Sequence, residues 1–442
     1  MKPSARRLLP VWFYYFLLVW WPSICWSFQR QHCKIVVKPA ATFLSLRAQR
    51  DDDLNPIVSI PTTAILRLSY DGTRFTGWSA ANDSAANVNE MAPPVTLSKR
   101  NRRRKNANDE SLPKGFVRSV EGVVRTHLAK LYGNVNPRRI VVEGCSRTDR
   151  GVHAKGMIAQ VYCLKSEILN ELDRNDGSGE NPAISCSVPG KRLPHPTSSY
   201  DDSYFVPLPM GGNLSRLAFT LNRMRPPDVQ VTGIAPLPEV PESSSLPFHP
   251  TLSSQSKRYE YRLLVGAFAD PLMARAAWYV GDTMDIDNMH EGCKILVGSH
   301  DFSAFQGVPR GQEEKKKYRM DLDDPDANRC TLLRVDIEED PEPSAAYFLG
   351  VSPSVRSYRV IVEGDRFLYK TVRFLVGALV AVGAGKLDCD DLRRALETKS
   401  WGITGQESGR KEFQCAPAHG LVLTSVDYGS LHIDWKPLRA NS

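Results

Sequence analysis

The residues best suited to chemistry stand in one short stretch, residues 144–154, which reads Gly-Cys-Ser-Arg-Thr-Asp-Arg-Gly-Val-His-Ala. Asp149 is its centre, because a carboxylate acts as a nucleophile or a base without any cofactor. Arg147 lies two positions earlier, so in an extended chain its guanidinium projects to the same side and can meet the carboxylate. A carboxylate paired in this way stays ionised at neutral pH. The stretch therefore predicts an anionic oxygen, poised as nucleophile or base.

Two short strands are predicted to hold this stretch in place. Residues 140–142 are apolar and β-branched and precede it, and residues 157–163 follow it, which places Asp149 in a loop at the end of a sheet. Alternation and helical spacing elsewhere predict strands at residues 63–70, 257–265, 330–336 and 358–363 and helices at residues 117–132 and 285–297.

A further helix is predicted over residues 367–386. Arg366, Lys370 and Arg373 fall on one of its faces, and apolar residues fall on the opposite face. A basic stripe is usually only a solvated face, but Gly377 within the helix permits close approach of another part of the chain. Because strands and helices mix without regular βαβ alternation, we expect an α+β fold.

Net charge alone does not identify a nucleic-acid-binding protein. The 442 residues include 57 Lys+Arg and 49 Asp+Glu, a formal charge of +8. Eight of the basic residues and none of the acidic ones lie in residues 1–50, so the rest of the chain is balanced at 49 of each. Six more basic residues lie in the run 99–105, and what remains is mildly acidic. Any RNA site must therefore be a local basic cleft.

Residues 1–50 are typical of a targeting presequence. Three basic residues precede an apolar stretch over residues 8–21, which ends at Pro22 and is followed by small residues, as in a signal peptide. A stretch of about fourteen residues is short for a membrane span. Residues 28–50 are basic, lack acids and contain Ser and Thr, as transit peptides do. We expect organellar localisation, in the plastid by a bipartite presequence or else in the mitochondrion, without stable membrane association once the presequence is removed. A membrane anchor with a basic stem is the alternative.

The nine cysteines are dispersed, with no Cys-x-x-Cys pair and no spacing suited to zinc. We therefore predict no metal site, no disulfide framework and a reducing compartment. Cys145 is interpreted as a small packed residue, because no base flanks it. His300 and Asp301 are adjacent and point apart, which favours turn and capping roles over a catalytic pair.

Residues 147–154 resemble the signature Arg-Thr-Asp-x-Gly-Val-His-Ala of the TruA family of tRNA pseudouridine synthases. The resemblance extends over residues 62–430, and as an ordered set its motifs are highly specific. At residues 250 and 251 the chain has Pro-Thr where the family has Ala-Arg, so one expected basic contact is missing. The other segments that occur in family order are residues 70–78, 257–261, 298–305, 367–373 and 420–428.

This resemblance implies an isomerase that converts uridine in tRNA to pseudouridine without a cofactor, with the anticodon stem-loop as the favoured target. It implies that Asp149 is the catalytic residue, that Arg373 orients it, and that Tyr259 stacks on the uracil and is a candidate acceptor of the C5 proton. Arg147 would replace the flipped-out nucleotide or contact phosphate. Arg258 and Lys370 complete the expected substrate-binding set. The implied partners are tRNA and a second copy of the chain, in a homodimer.

The resemblance also implies two similar halves, each a mainly antiparallel mixed sheet covered by helices, flanking a basic cleft. We place the N-terminal catalytic half at residues 60–240, with disordered insertions at 79–114 and 165–214, and the C-terminal half at residues 241–432, with an insertion at 307–328.

Two other classes of protein stay open. A catalytically inactive RNA-binding protein of the same fold would share the cleft, although the intact Arg-Thr-Asp argues against it. A glycoside hydrolase would need a second carboxylate across the scissile bond, and nothing near the motif supplies one.

Overall fold

The computed structural model describes residues 60–79, 118–167, 204–224, 227–241, 247–268, 271, 273–307, 327–340, 355–401 and 413–438. The strands in these residues are β1 (Thr63–Tyr70), β2 (Ile140–Gly144), β3 (His153–Leu164), β4 (Phe205–Val206), β5 (Val229–Ala235), β6 (Ser256–Gly266), β7 (Trp278–Tyr279), β8 (Gly298–Asp301), β9 (Arg329–Glu339), β10 (Val355–Gly364) and β11 (Leu421–Asp427). The helices are α1 (Val120–Leu131), α2 (Leu214–Met224), α3 (Ile286–Leu296), α4 (Thr371–Gly383) and α5 (Cys389–Thr398).

All the described strands join in one mixed sheet, whose main path is β5-β1-β3-β11-β6-β10-β9-β8. β2 and β4 pair with β3, and β7 pairs with β6. Neighbouring strands are antiparallel except for β3 with β11 and β6 with β7. The predicted α+β class is therefore confirmed, since parallel βαβ units do not build this sheet.

The last strand of the sheet, β11, brings the predicted site residues together. It lies between β3, to which it is parallel, and β6, to which it is antiparallel. Leu423 is aligned with Ala154 on one side and with Tyr259 on the other. The start of β3, directly after the Asp149 loop, is thus one strand away from Tyr259.

Helices α1, α3 and α4 were predicted from the sequence, whereas α2 and α5 were not. Helix α1 begins after Ser119, whose hydroxyl accepts a hydrogen bond from the Gly122 amide, and it buries Val120, Val124 and Leu128. Helix α4 is almost wholly apolar and buried, as befits a helix packed on several sides. The Gly377 position in α4 supports the predicted close approach, since a Cβ there would lie 2.2 Å from the Gln414 carbonyl oxygen.

The largest error in a predicted helix boundary is at the start of α4. Helix α4 begins at Thr371 and not at residue 367, so Arg366 and Lys370 precede the helix and do not share a helical face with Arg373. The cause is Lys370, whose φ of 63° is left-handed and cannot continue a right-handed helix backwards. Asp365 also holds the preceding segment in a turn, because its carboxylate accepts hydrogen bonds from the Thr331 and Arg366 amides.

Two other segments differ in detail from their predictions. Gly298–Asp301 forms strand β8, although Asp301 also accepts a hydrogen bond from the Ser303 amide as a capping residue would. Residues 204–214, predicted as the end of an insertion, include β4, which pairs with β3. The presequence, the insertion at 79–114 beyond residue 79 and most of the insertions at 165–214 and 307–328 lie outside the described residues.

Candidate active site

The loop over residues 145–152 joins β2 to β3 and is bound by residues 70–78, an earlier segment of the chain. The Trp78 amide donates a hydrogen bond of 3.1 Å to the Thr148 carbonyl oxygen, and the Tyr70 and Thr148 hydroxyls lie 2.8 Å apart. Gly77 makes this approach possible, because its φ is 122° and a Cβ there would lie 2.7 Å from the Thr148 carbonyl oxygen. The loop is therefore fixed immediately before Asp149.

Cys145 opens this loop and is a packed residue, as predicted. Its side chain is fully buried, its amide donates to the Ile158 carbonyl oxygen, and its sulfur accepts from the Ile158 amide. Burial raises the pKa of its thiol to about 11. The thiol is protonated at neutral pH, so it is a poor nucleophile.

Asp149 forms an ion pair with Arg373 on helix α4, in which Arg373 Nη1 lies 3.1 Å from Asp149 Oδ2. The Arg373 Nε donates a hydrogen bond of 2.7 Å to the Ala416 carbonyl oxygen, and the Ala416 amide donates back to the Arg373 carbonyl oxygen. The guanidinium is thus fixed by backbone on one side and orients the carboxylate on the other. Within the described residues this is the only side-chain hydrogen bond of Asp149, and its Oδ1 stays available.

Tyr259 lies beside the Asp149 loop on strand β6. Its hydroxyl is 2.8 Å from the Ser146 hydroxyl, and the edge of its ring meets Phe367 with a centroid distance of 5.2 Å. Burial raises the pKa of the Tyr259 hydroxyl well above its usual range, and the charge of Asp149 adds to that rise. The phenol is therefore protonated at neutral pH, which argues against it as the acceptor of a proton.

Not all of the other predicted site residues lie beside Asp149 and Tyr259. Arg147 is exposed on the loop, whereas the bond to the Asp149 carboxylate comes from Arg373. Arg258 follows the alternation of β6 onto the face opposite Tyr259, where its Nε lies 3.5 Å from Glu260. Lys370 directly precedes α4, with its ammonium 4.9 Å from the centroid of the Tyr369 ring. Asp149, Arg373 and Tyr259 are thus brought together, and Arg258 is not.

Three contributors to the site were missed by sequence reasoning. Ser146 binds the Tyr259 hydroxyl, Phe367 packs against its ring, and the Ala416 carbonyl oxygen fixes Arg373. Ser146 and Phe367 stand within the quoted motifs, which was their only signal. The Ala416 contact is made by a backbone carbonyl oxygen, which any residue type can supply, so the sequence does not indicate it.

Within the described residues, no cluster of three or more His, Cys, Asp or Glu side chains is arranged to hold a metal ion. No helix in that part of the chain combines the length and the apolar character needed to cross a bilayer.

Comparisons with known proteins show what the chain is similar to. A family model described as tRNA pseudouridine synthase matches residues 293–429, a range that contains Arg373 and strands β8 to β11. A tRNA pseudouridine synthase A 2 of Bacillus cereus is 25% identical over 364 residues, which are 82% of this chain and 98% of that protein. The tRNA pseudouridine synthase A of Acetivibrio thermocellus is 23% identical over 363 residues, again 82% and 98%. That of Citrifermentans bemidjiense is 25% identical over 365 residues, or 82% of this chain and 96% of its own length. The chain is thus similar over most of its length to tRNA pseudouridine synthases A, and together with the family-model match this supports the resemblance to the TruA family of tRNA pseudouridine synthases, which are isomerases.

Proposed function

We propose that this protein isomerises specific uridines in tRNA to pseudouridine, with Asp149 as the reacting carboxylate. One observation carries the proposal. Arg373 binds a single oxygen of Asp149, Oδ2, so the charge is held in place while the other oxygen stays available for substrate.

The reaction breaks the bond between N1 of uracil and C1′ of ribose and makes a new bond from C5 to C1′. It needs no oxidant, no energy source and no cofactor, so a positioned carboxylate is sufficient as the reacting group. Asp149 either attacks C1′ to form an ester or removes a proton from C2′ to form a glycal, and both routes use the same free oxygen. Arg373 keeps that oxygen in position.

Tyr259 supplies the surface on which the uracil rests. A uridine has to leave its stack to enter the site, at a cost of a few kcal/mol. Stacking on an aromatic side chain returns about 1–3 kcal/mol per base. Contacts with phosphate supply the rest, and Arg147 on the exposed loop and Lys370 before α4 are the proposed donors. Arg258 lies on the face of β6 opposite Tyr259, so this geometry gives no support to a contact with the base, and that contact stays a prediction.

The finer assignments rest on the family resemblance and the sequence. They are a target uridine in the anticodon stem-loop, a homodimer that grips tRNA, and two similar halves at residues 60–240 and 241–432 that flank a basic cleft. Localisation to the plastid, or else the mitochondrion, rests on the composition of residues 1–50. Nothing in the comparisons supports the alternative of a catalytically inactive RNA-binding protein.

The variant Asp149→Asn tests the proposal. It removes the charge and keeps the shape, so we expect the single-turnover rate of pseudouridine formation to fall by at least about 10³-fold while the Kd for tRNA changes by less than about threefold. Product is measured by chemical mapping of pseudouridine in tRNA transcripts, and Asp282→Asn, at an exposed carboxylate, is the matched control. Full activity of Asp149→Asn would remove the proposal.

A further inference from the structure

Strand β6 carries a second polar residue on the face that bears Tyr259. Lys257 lies two positions before it and therefore points to the same side of the sheet. The residue is only 7% exposed. Among the residues that the structure describes, its ammonium has no hydrogen bond and no ion pair. Burial lowers the pKa of this ammonium below its usual value, and the two groups that act against this are Cys145 and Asp365.

Neither of these groups forms a hydrogen bond or an ion pair with Lys257 among the described residues. Cys145 is a protonated thiol whose sulfur accepts a hydrogen bond from the Ile158 amide. Asp365 accepts hydrogen bonds from the Thr331 and Arg366 amides through the same oxygen, Oδ1. The charge of Asp365 offsets part of the cost of burying Lys257, but the ammonium forms no direct bond to a described residue, so a polar group of a substrate can bind it.

The surroundings of Lys257 show which part of a substrate can meet it. In the sheet, Lys257 is aligned with Gly364 of β10, where a Cβ would lie 2.8 Å from the Thr331 carbonyl oxygen and 3.3 Å from the Phe367 ring, so Lys257 and Phe367 lie near the same end of β10. The Tyr259 ring packs on the same Phe367. Lys257 and Tyr259 thus lie next to each other on one face of β6, and Phe367 packs near both.

We infer that Lys257 donates a hydrogen bond to a carbonyl oxygen of the target uracil and stabilises the negative charge that this base carries when it leaves the ribose. This inference rests on the proposed function. When the N1–C1′ bond breaks, its electron pair passes to the uracil, where it is shared with O2 and O4. The ammonium keeps its protons throughout, and Asp149 acts on the ribose by either route. A fixed cation near a developing anion is most effective where water is excluded.

A phosphate is the less suitable partner for this lysine. The RNA backbone stays at the surface, where Arg147 and Arg150 are exposed on the loop. Lys257 lies beside the tyrosine proposed to carry the base, so the base is the group that reaches it.

The variant Lys257→Met keeps most of the side-chain stem and removes the charge. We expect the single-turnover rate with tRNA to fall about 10²–10³-fold, as for other preorganised donors. The Kd for tRNA and its salt dependence should stay unchanged, and the thermal midpoint should not fall, because an unpaired buried charge has been removed. Lys155→Met, at an exposed lysine of β3, is the matched control and should behave as the unchanged protein.

A second substrate separates stabilisation of the leaving base from every structural effect. Fluorine at C5 withdraws electrons and makes the uracil anion more stable, so tRNA containing 5-fluorouridine depends less on Lys257. Consumption of that nucleotide is followed by mass spectrometry, and the loss caused by Lys257→Met should be about tenfold smaller than with uridine.

Equal losses with both substrates, or a lower thermal midpoint, would overturn the inference. A phosphate contact would be identified instead if Lys257→Met bound tRNA more weakly at an unchanged rate, and if the slope of the logarithm of the binding constant against the logarithm of the salt concentration fell by about one. The proposed function is tested separately. It would be refuted if the protein of natural sequence failed to modify tRNA, or if Asp149→Asn kept full activity.

Discussion

Two groups of charged residues differ in position and in the number of their partners: one lies beside the face of β6 that carries Tyr259, and the other lies on the opposite face of that strand. Beside the Tyr259 face, Arg373 is the one side chain among the described residues that pairs with Asp149, and the side chains of Asp149 and Arg373 are 18% and 14% exposed. On the other face is a set that we call the rear ion cluster, in which strands β6, β9 and β10 and the residue after β9 contribute alternating charges. Its members are Glu260, Arg262, Glu338, Asp340 and Arg359.

The two aspartates at the centres of these groups differ in how their oxygens are used. Asp340 has Arg262 Nη2 at 2.9 Å from Oδ2 and Arg359 Nε at 3.8 Å from Oδ1, and its side chain is 5% exposed. Both of its oxygens therefore face a guanidinium. Asp149 is more exposed and shares only Oδ2 with Arg373.

This difference separates a carboxylate that stabilises the fold from one that can react. A carboxylate with a guanidinium facing each oxygen and little exposure to solvent has its charge balanced and no room for a substrate. A carboxylate held by one guanidinium on one oxygen is oriented but still able to attack or to accept a proton. An aspartate paired with arginine thus either stabilises the fold or reacts, and the number of guanidinium groups around the aspartate decides between the two roles.

The largest expected effect follows from removing Arg373. In Arg373→Met, Asp149 loses its only side-chain partner among the described residues, and the backbone link to Ala416 is lost as well. We expect the single-turnover rate to fall about 10²–10³-fold, which corresponds to about 2.7–4 kcal/mol. Arg262→Met in the rear ion cluster is the control and should keep the rate. If both variants lost the same activity, the proposed division of roles between the two faces would be refuted.

A smaller effect, on stability and not on rate, is expected from the rear ion cluster. Asp340→Asn leaves Arg262 and Arg359 half-buried with less compensating charge. Breaking a buried ion pair costs about 3–5 kcal/mol, and we expect about 1–3 kcal/mol here because solvent reaches both arginines. Urea denaturation measures the loss, and the rate of the folded enzyme should stay within about twofold. A stable but inactive Asp340→Asn would show that this face takes part in catalysis.

The site was predictable in part, because its residues occur in recognisable motifs. Local patterns placed Asp149 in a loop between two strands, and the structure has that loop between β2 and β3. The partner of Asp149 is 224 residues away along the chain, and no spacing rule reaches that far. Arg373 was named from the family resemblance, whereas spacing alone pointed to Arg147.

What could not be predicted depends on contacts between distant segments. Residues 421–427 form a strand, but only the folded sheet shows that it lies between β3 and β6. The start of α4 was misplaced because a left-handed lysine is rare and has no sequence signal. Lys257 stands within one of the motifs, yet its burial appears only in the folded sheet, where it is aligned with Gly364, more than a hundred residues later.

The smallest expected effect concerns Ser146, the residue that connects the Asp149 loop to Tyr259. In Ser146→Ala the buried Tyr259 hydroxyl loses its partner at 2.8 Å, which should lower stability by about 1–3 kcal/mol and the rate by less than about tenfold. Ser299→Ala, at an exposed serine of β8, should change neither quantity. The double variant Ser146→Ala with Tyr259→Phe removes both hydroxyls, so most of the lost stability should return. Because the Tyr259 phenol stays protonated, that double variant should also keep measurable activity, whereas complete inactivity would show that the hydroxyl itself handles a proton.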